Sequence, residues 1–184
     1  MMMHNRKYVP YVNLSEVKLE AISLKYKGGD VSMFFVLPYA NQTLDNLIST
    51  LTADILKQVI NKSQSTYVDY KIPRMKFKWC QDINTRLQQL GIKEIFSDSA
   101  NLNNMVVESA NLIVTKITHA TEIEIDEKGT EASAVTAVQI CKRSLQIYPD
   151  PINFHVNRPF LLFIYHHETQ SIIFFAAVNN PNGV

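Results

Sequence analysis

The sequence predicts an α+β protein in which antiparallel strands predominate and two or three helices are inserted. Three observations carry that prediction. Residues 17–24 alternate apolar and polar side chains with the period of a half-buried strand. Leu44, Leu47, Ile48, Leu51, Ile55, Leu56 and Val59 recur at helical spacing. Near the end of the chain, residues 160–165 and 172–178 form almost continuous apolar runs, as core strands do.

In chain order, residues 17–24 lead into Gly28-Gly29-Asp30, which supplies the positive-φ positions that a hairpin turn needs. Residues 31–37 return as a nearly unbroken apolar strand ended by Pro38, so the pair reads as a buried antiparallel hairpin. Thr43 is placed to cap the helix that follows. Residues 70–78 read as another strand. Asp82 is placed to cap a short helix through Leu87 and Leu90, with Gly91 at its C-terminal end. Residues 112–125 are strand-like, with Ile113, Ile117, Ile123 and Ile125 as β-branched supports. Residues 154–178 hold two or three core strands.

At 184 residues and 46% hydrophobic, the chain is long enough for one domain with a sizeable core. A formal charge of +1 gives no reason to expect nucleic acid or an anionic membrane as partner. The apolar run 160–165 is far too short to span a bilayer, and residues 1–7 lack the apolar stretch of a signal peptide. Cys80 and Cys141 form neither a metal-ligand spacing nor a disulfide framework, and Cys141 reads as a free thiol. Asn13, Asn41 and Asn61 begin Asn-x-Ser/Thr sequons and lean towards a secretory, extracellular origin.

Constellations for catalysis are scarce. His166 and His167 are neighbours that a strand would point to opposite faces, so His166-His167-Glu168 reads as a polar turn and not a metal site. There is no Gly-x-Ser-x-Gly elbow and no glycine-rich phosphate cradle. Neither enzymatic activity nor a cofactor nor a metal is expected.

Residues 126–144 stand apart. Thr130, Ala132, Ala134, Thr136 and Val138 share one side of any strand this segment adopts, and all are small or β-branched. Such a face enters an existing sheet without steric conflict. Composition alone reads the segment as an Ala/Ser/Thr linker and Lys142-Arg143 as a solvated basic pair.

A resemblance that covers nearly the whole chain changes this reading. Glu127-Lys128-Gly129-Thr130-Glu131-Ala132-Ser133-Ala134 resembles the hinge of the serpins, protease inhibitors with a mobile reactive-centre loop. The run from Phe154 through Asn157-Arg158-Pro159-Phe160 to Ile164 resembles the serpin signature that follows that loop. Val31-Ser32-Met33 with Leu37-Pro38, Ile72-Pro73-Arg74-Met75-Lys76-Phe77, Leu90-Gly91-Ile92 with Phe96, and Val178-Asn179-Asn180-Pro181 are similar to further landmarks in the family's order. The resemblance implies an incomplete serpin fold over 1–184, mostly antiparallel sheets with a few helices, and an exposed reactive loop at about 127–152.

The family register implies a reactive bond fourteen residues beyond Gly129, between Arg143 and Ser144. An Arg at that place implies a trypsin-like serine protease as partner, because a guanidinium pairs with a carboxylate at the base of a specificity pocket. The resemblance further implies that His119 hydrogen-bonds where the sheet opens, and that Glu127 pairs with a basic residue, here Arg74. Since a complete serpin is about twice as long, this stretch by itself is expected not to trap a protease. Self-association through exposed strand edges is expected instead. The alternative is a non-inhibitory serpin-like binding or scaffold protein whose loop is only a protease substrate.

Overall fold

In the computed structural model, residues 2–105, 112–126 and 149–180 are described. They group into two compact units, one formed by Met1–Lys76 with Glu124–Val184 and the other by Phe77–Ile123.

The first unit is built on a seven-stranded sheet whose strands are, in spatial order, β7 (Ile152–His155), β4 (Gln64–Pro73), β1 (Met2–Leu14), β2 (Leu19–Lys25), β3 (Val31–Pro38), β8 (Phe160–His166) and β9 (Ser171–Val178). Its organiser is β1 (Met2–Leu14). Residues 2–11 of this strand pair antiparallel with β4 (Gln64–Pro73), and residues 11–14 pair with β2 (Leu19–Lys25). Pro10 falls where only one edge of β1 is paired, a place that tolerates a missing N–H donor. No strand is anticipated at residues 1–14 from the sequence, because Met2, His4, Arg6 and Lys7 supply no period-two apolar signal. The long partner β4 overrides that local silence.

The expected hairpin is present. β2 pairs antiparallel with β3 (Val31–Pro38), and the turn between them holds Gly28 at φ 99° and Gly29 at φ 87°. Both angles lie in the left-handed region where a Cβ is strained. β3 pairs with β8 (Phe160–His166), and β8 with β9 (Ser171–Val178). The His166-His167-Glu168 segment lies at the turn between these last two strands, as read from its polarity.

Four expectations need correction. The single helix from Leu44 to Val59 is two helices, α1 (Leu44–Thr50) and α2 (Ala53–Lys62). Thr43 caps the first by accepting from the Asn46 amide, and Thr52 caps the second by accepting from that of Ile55. Thr52 therefore restarts the helix in the middle of an unbroken apolar periodicity. The strand read over 70–78 is likewise two strands, since β4 ends at Pro73 and β5 (Met75–Asp82) begins after Arg74. β5 joins β6 (Thr118–Ile125) in a separate two-stranded sheet. Residues 112–117 precede β6 without strand pairing, so the strand read over 112–125 is shorter than its β-branched residues suggest. The short helix α3 (Asn84–Gln89) lies where expected, with Gly91 at φ 95° just past its end, but its N-cap is Ile83 and not Asp82, whose carboxylate accepts from the Asn84 amide from the position before the cap.

The hydrophobic core sits against the middle of the large sheet. Val12, Leu19, Ala21, Phe34, Val36, Leu161 and Phe163 form one buried face, closed by Leu44, Leu47 and Val59 from the two helices. Phe34 and Phe163 are cross-strand partners, with stacked rings 4.6 Å apart. Ile22, Phe35 and Leu162 are also fully buried, although they are on the opposite face of the same strands. The centre of the sheet is thus covered on both sides, which explains why β3 and β8 read as continuous apolar runs. Towards the β9 edge the covering ends, leaving Ile173 61% and Phe175 46% exposed.

Replacing Phe163 by Ala removes the stack and opens a cavity in the core, so urea unfolding is expected to show a loss of about 3–5 kcal/mol. Thr52→Ala removes only a cap and is expected to cost about 1 kcal/mol in the same measurement.

Candidate functional site

The hinge residues Glu127, Lys128, Gly129, Thr130, Glu131, Ala132, Ser133 and Ala134 lie outside the described residues, as do Arg143, Ser144 and Cys141. The structure instead describes what leads into residues 127–148 and what leads out of them. β6 is the last strand before them and β7 (Ile152–His155) the first after them.

The lead-in strand is two-faced. Ile123 and Ile125 are buried, while Glu122, Glu124 and Asp126 alternate with them on the other side. Lys78 meets Glu122 at 3.0 Å, Lys76 meets Glu124 at 2.6 Å and Arg74 meets Asp126 at 4.0 Å. Each successive pair steps in opposite directions along the two strands, as antiparallel neighbours require. These side chains are largely exposed, so each pair contributes about 0–1 kcal/mol and serves register more than stability. Arg74 meets Asp126, and its expected partner Glu127 lies outside the described residues. His119 is exposed; its Nε2 lies 3.1 Å from Thr121 Oγ1, and its ring packs edge-on against Trp79 at 5.6 Å. Arg86 covers that indole at 5.9 Å, a cation–π contact.

The lead-out strand is more firmly built. β7 runs parallel to β4, with Asn153 beside Asp69 and His155 beside Lys71. Phe154 is fully buried, and the Val156 amide donates to the Lys71 carbonyl at 2.8 Å. Arg158 then fastens the chain. Its Nε donates to the Pro38 carbonyl at 2.7 Å and its guanidinium meets Glu20 at 3.2 Å. One side chain thereby ties the start of β8 to β2 and to the end of β3. Glu20 also accepts from the Tyr11 hydroxyl, and burial together with that carboxylate's charge pushes Tyr11 up to about 12.

Asp69 is the one buried carboxylate among the described residues. Arg6 Nε donates to its Oδ2 at 3.0 Å, and His4 Nε2 lies 2.8 Å from its Oδ1. The Arg6 hydrogen bond holds the Asp69 carboxyl below the usual carboxylate range. Burial opposes that shift, whereas the hydrogen bond from His4 and the charges of both partners reinforce it. The sequence reading passed over this group. A lone acid between Val68 and Tyr70 within a strand was the available signal, because a strand interior tolerates a carboxylate only when it is paired. Arg158 was quoted as part of a motif but given no role.

No arrangement for turnover is apparent among the described residues. Ser32 and His167 are 2.8 Å apart, but Ser32 is only 1% exposed, so its hydroxyl is closed to any substrate. No group of three or more His, Cys, Asp or Glu is placed to hold a metal among them, and no helix there is long and apolar enough to cross a membrane.

A family model described as "Serpin (serine protease inhibitor)" matches residues 1–181. Among curated proteins, human Serpin B12 is 34% identical over 177 residues, 91% of this chain and 42% of its own length. Leukocyte elastase inhibitor A of Mus musculus is 30% identical over 189 residues, 98% of this chain and 48% of its own length. The crystal structure of mouse protein-Z dependent protease inhibitor matches with a TM-score of 0.81 at 25% identity, covering 98% of this chain and 45% of that one. The chain thus spans just under half the length of the proteins it matches.

Because the folded-state carboxyl of Asp69 is depressed, its contribution to stability is present above the unfolded value, about 3.9, and is lost as pH falls through the folded value. Denaturant midpoints measured from pH 6 down to pH 2.5 should decline more steeply for the parent chain than for Asp69→Asn. Asp69→Asn should also be the less stable of the two at pH 6.

Proposed function

The chain belongs to the serpin family, and on that premise we propose that it carries the bait and latent strand of a serine-protease inhibitor, with Arg143–Ser144 as the reactive bond. The observation that carries this reading is the register: fourteen residues on from Gly129 the sequence presents an Arg next to a Ser. Trypsin-like specificity follows from the side chain, since a guanidinium makes a paired, charge-assisted contact with a pocket carboxylate. Lys142 adds a dibasic site that a processing protease would also read.

The proposed mechanism spends the protease's own cleavage. Attack at Arg143 forms an acyl-enzyme, and the freed segment inserts as a new strand, carrying the protease with it. About a dozen new backbone hydrogen bonds at about 0.5–1.5 kcal/mol each would release on the order of 10 kcal/mol. A bulky or charged residue facing into the sheet would stall that insertion, and Thr130, Ala132 and Ala134 present none. Hydrolytic turnover by the chain itself forms no part of this reading. Because the matched relatives are about twice as long, the trap is proposed for a molecule of serpin length, with this stretch supplying the bait. A secretory route, suggested by the sequons at Asn13, Asn41 and Asn61, belongs to the same proposal.

Incubation of this chain with trypsin is expected to release a fragment whose N-terminus is Ser144, and Arg143→Ala should abolish that cut. Grafted into a serpin-length partner, the same segment should yield a complex with trypsin that survives denaturing gels, again lost with Arg143→Ala. Cleavage after Arg143 with no such complex would reassign the loop as a substrate on a non-inhibitory scaffold.

A further inference from the structure

We propose that His155 is a proton-operated latch that holds the edge strand β7 to β4 through Asp69. Its Nε2 is buried and has no hydrogen-bond partner among the described residues, yet it lies 4.0 Å from Asp69 Oδ1. That is too far for a hydrogen bond and near enough for a direct ion pair. A neutral imidazole leaves this contact unmade. Taking a proton from solvent gives the ring a positive charge and N–H donors on both nitrogens, with a carboxylate facing one of them.

Phe154, the Val156 amide and Arg158 fix the chain at and just beyond the end of this strand, and His155 would add a tie on its polar face. β7 has four residues and, among the described residues, pairs on one edge only, in the parallel arrangement. Phe154 anchors it from below, but the face that carries His155 is polar. The charged and titratable groups facing His155 come from two strands. β4 contributes Asp69 and Lys71, and β1 contributes His4 and Arg6 in the same two rungs. β7 itself adds none, since Asn153 is neutral, and Arg158 beyond it is turned to Pro38 and Glu20.

The sign follows from their order in space. Asp69 Oδ1 lies 4.0 Å from His155 Nε2, and Arg6 occupies the carboxylate's other oxygen, Oδ2. Oδ1 already accepts from His4 and has capacity for a second donor. Lys71 opposes the added charge, but its side chain is part-exposed, where solvent screens it. The latch therefore closes when the His155 imidazole takes up a proton and opens when it loses it. At pH 5.5 Asp69 remains ionised, because Arg6 holds it low.

Hydrogen–deuterium exchange of the intact chain at pH 5.5 and 7.5, corrected for the chemical exchange rate, tests this. Amides of residues 152–158 should be about three- to fivefold better protected at pH 5.5, with those of β3 unchanged. His155→Gln should abolish the difference, whereas His4→Gln should retain most of it. Equal protection at both pH values, a difference that persists in His155→Gln, or a change shared equally by β3 would overturn the proposal. Should His155→Gln loosen the whole chain, the parent's contrast between β7 and β3 still decides the matter.

Discussion

The pairing of β3 with β8, with Phe34 stacked on Phe163, is the constraint on which the rest of the first unit depends. These two strands are apolar on both faces, so they are stable only where something covers each side. On one side the helices α1 and α2 do this through Leu44, Leu47 and Val59. The hairpin glycines bring β2 alongside, and Arg158 ties the start of β8 back to Glu20 and Pro38. Each device addresses the same requirement, which is to keep a sheet buried on both faces in one register.

Much of this was legible in the sequence where a residue has a single physical consequence. Gly28 and Gly29 could only be a turn, and residues 31–37 and 160–165 could only be core. Thr43 announced a helix. The reading faltered where a local signal was outvoted by a distant partner. Residues 2–14 lack alternation because His4 and Arg6 point at Asp69 and not at an apolar core. Thr52 looked like one more polar position on a helix until its side chain was seen to cap a second one. The strand break at Pro73-Arg74 was hidden by a β-rich run that continues on both sides of it.

The candidate site was legible in a different sense. The proposed reactive bond is a matter of residue types in sequence, and that part needs no contacts to be read. Its supports are matters of geometry, and no spacing rule links His4 to Asp69 across sixty-five positions. The lead-in and lead-out strands are also built to different standards. β6 is aligned by largely exposed ion pairs that water and salt weaken readily, whereas the chain around β7 is fixed by Phe154, Val156 and Arg158.

β1 serves two neighbours in succession, giving its first ten positions to β4 and its last few to β2. That splice divides the large sheet into an outer panel of β7, β4 and the early part of β1, and an inner panel around the core. Among the described residues only one backbone crosses between them as paired strand, so the outer panel has its own route to local opening. Breathing, protease access or a pulling load applied at β7 can then be absorbed at the periphery while the phenylalanine stack stays closed. Pro10 and Tyr11 mark the place where the strand exchanges one neighbour for the other.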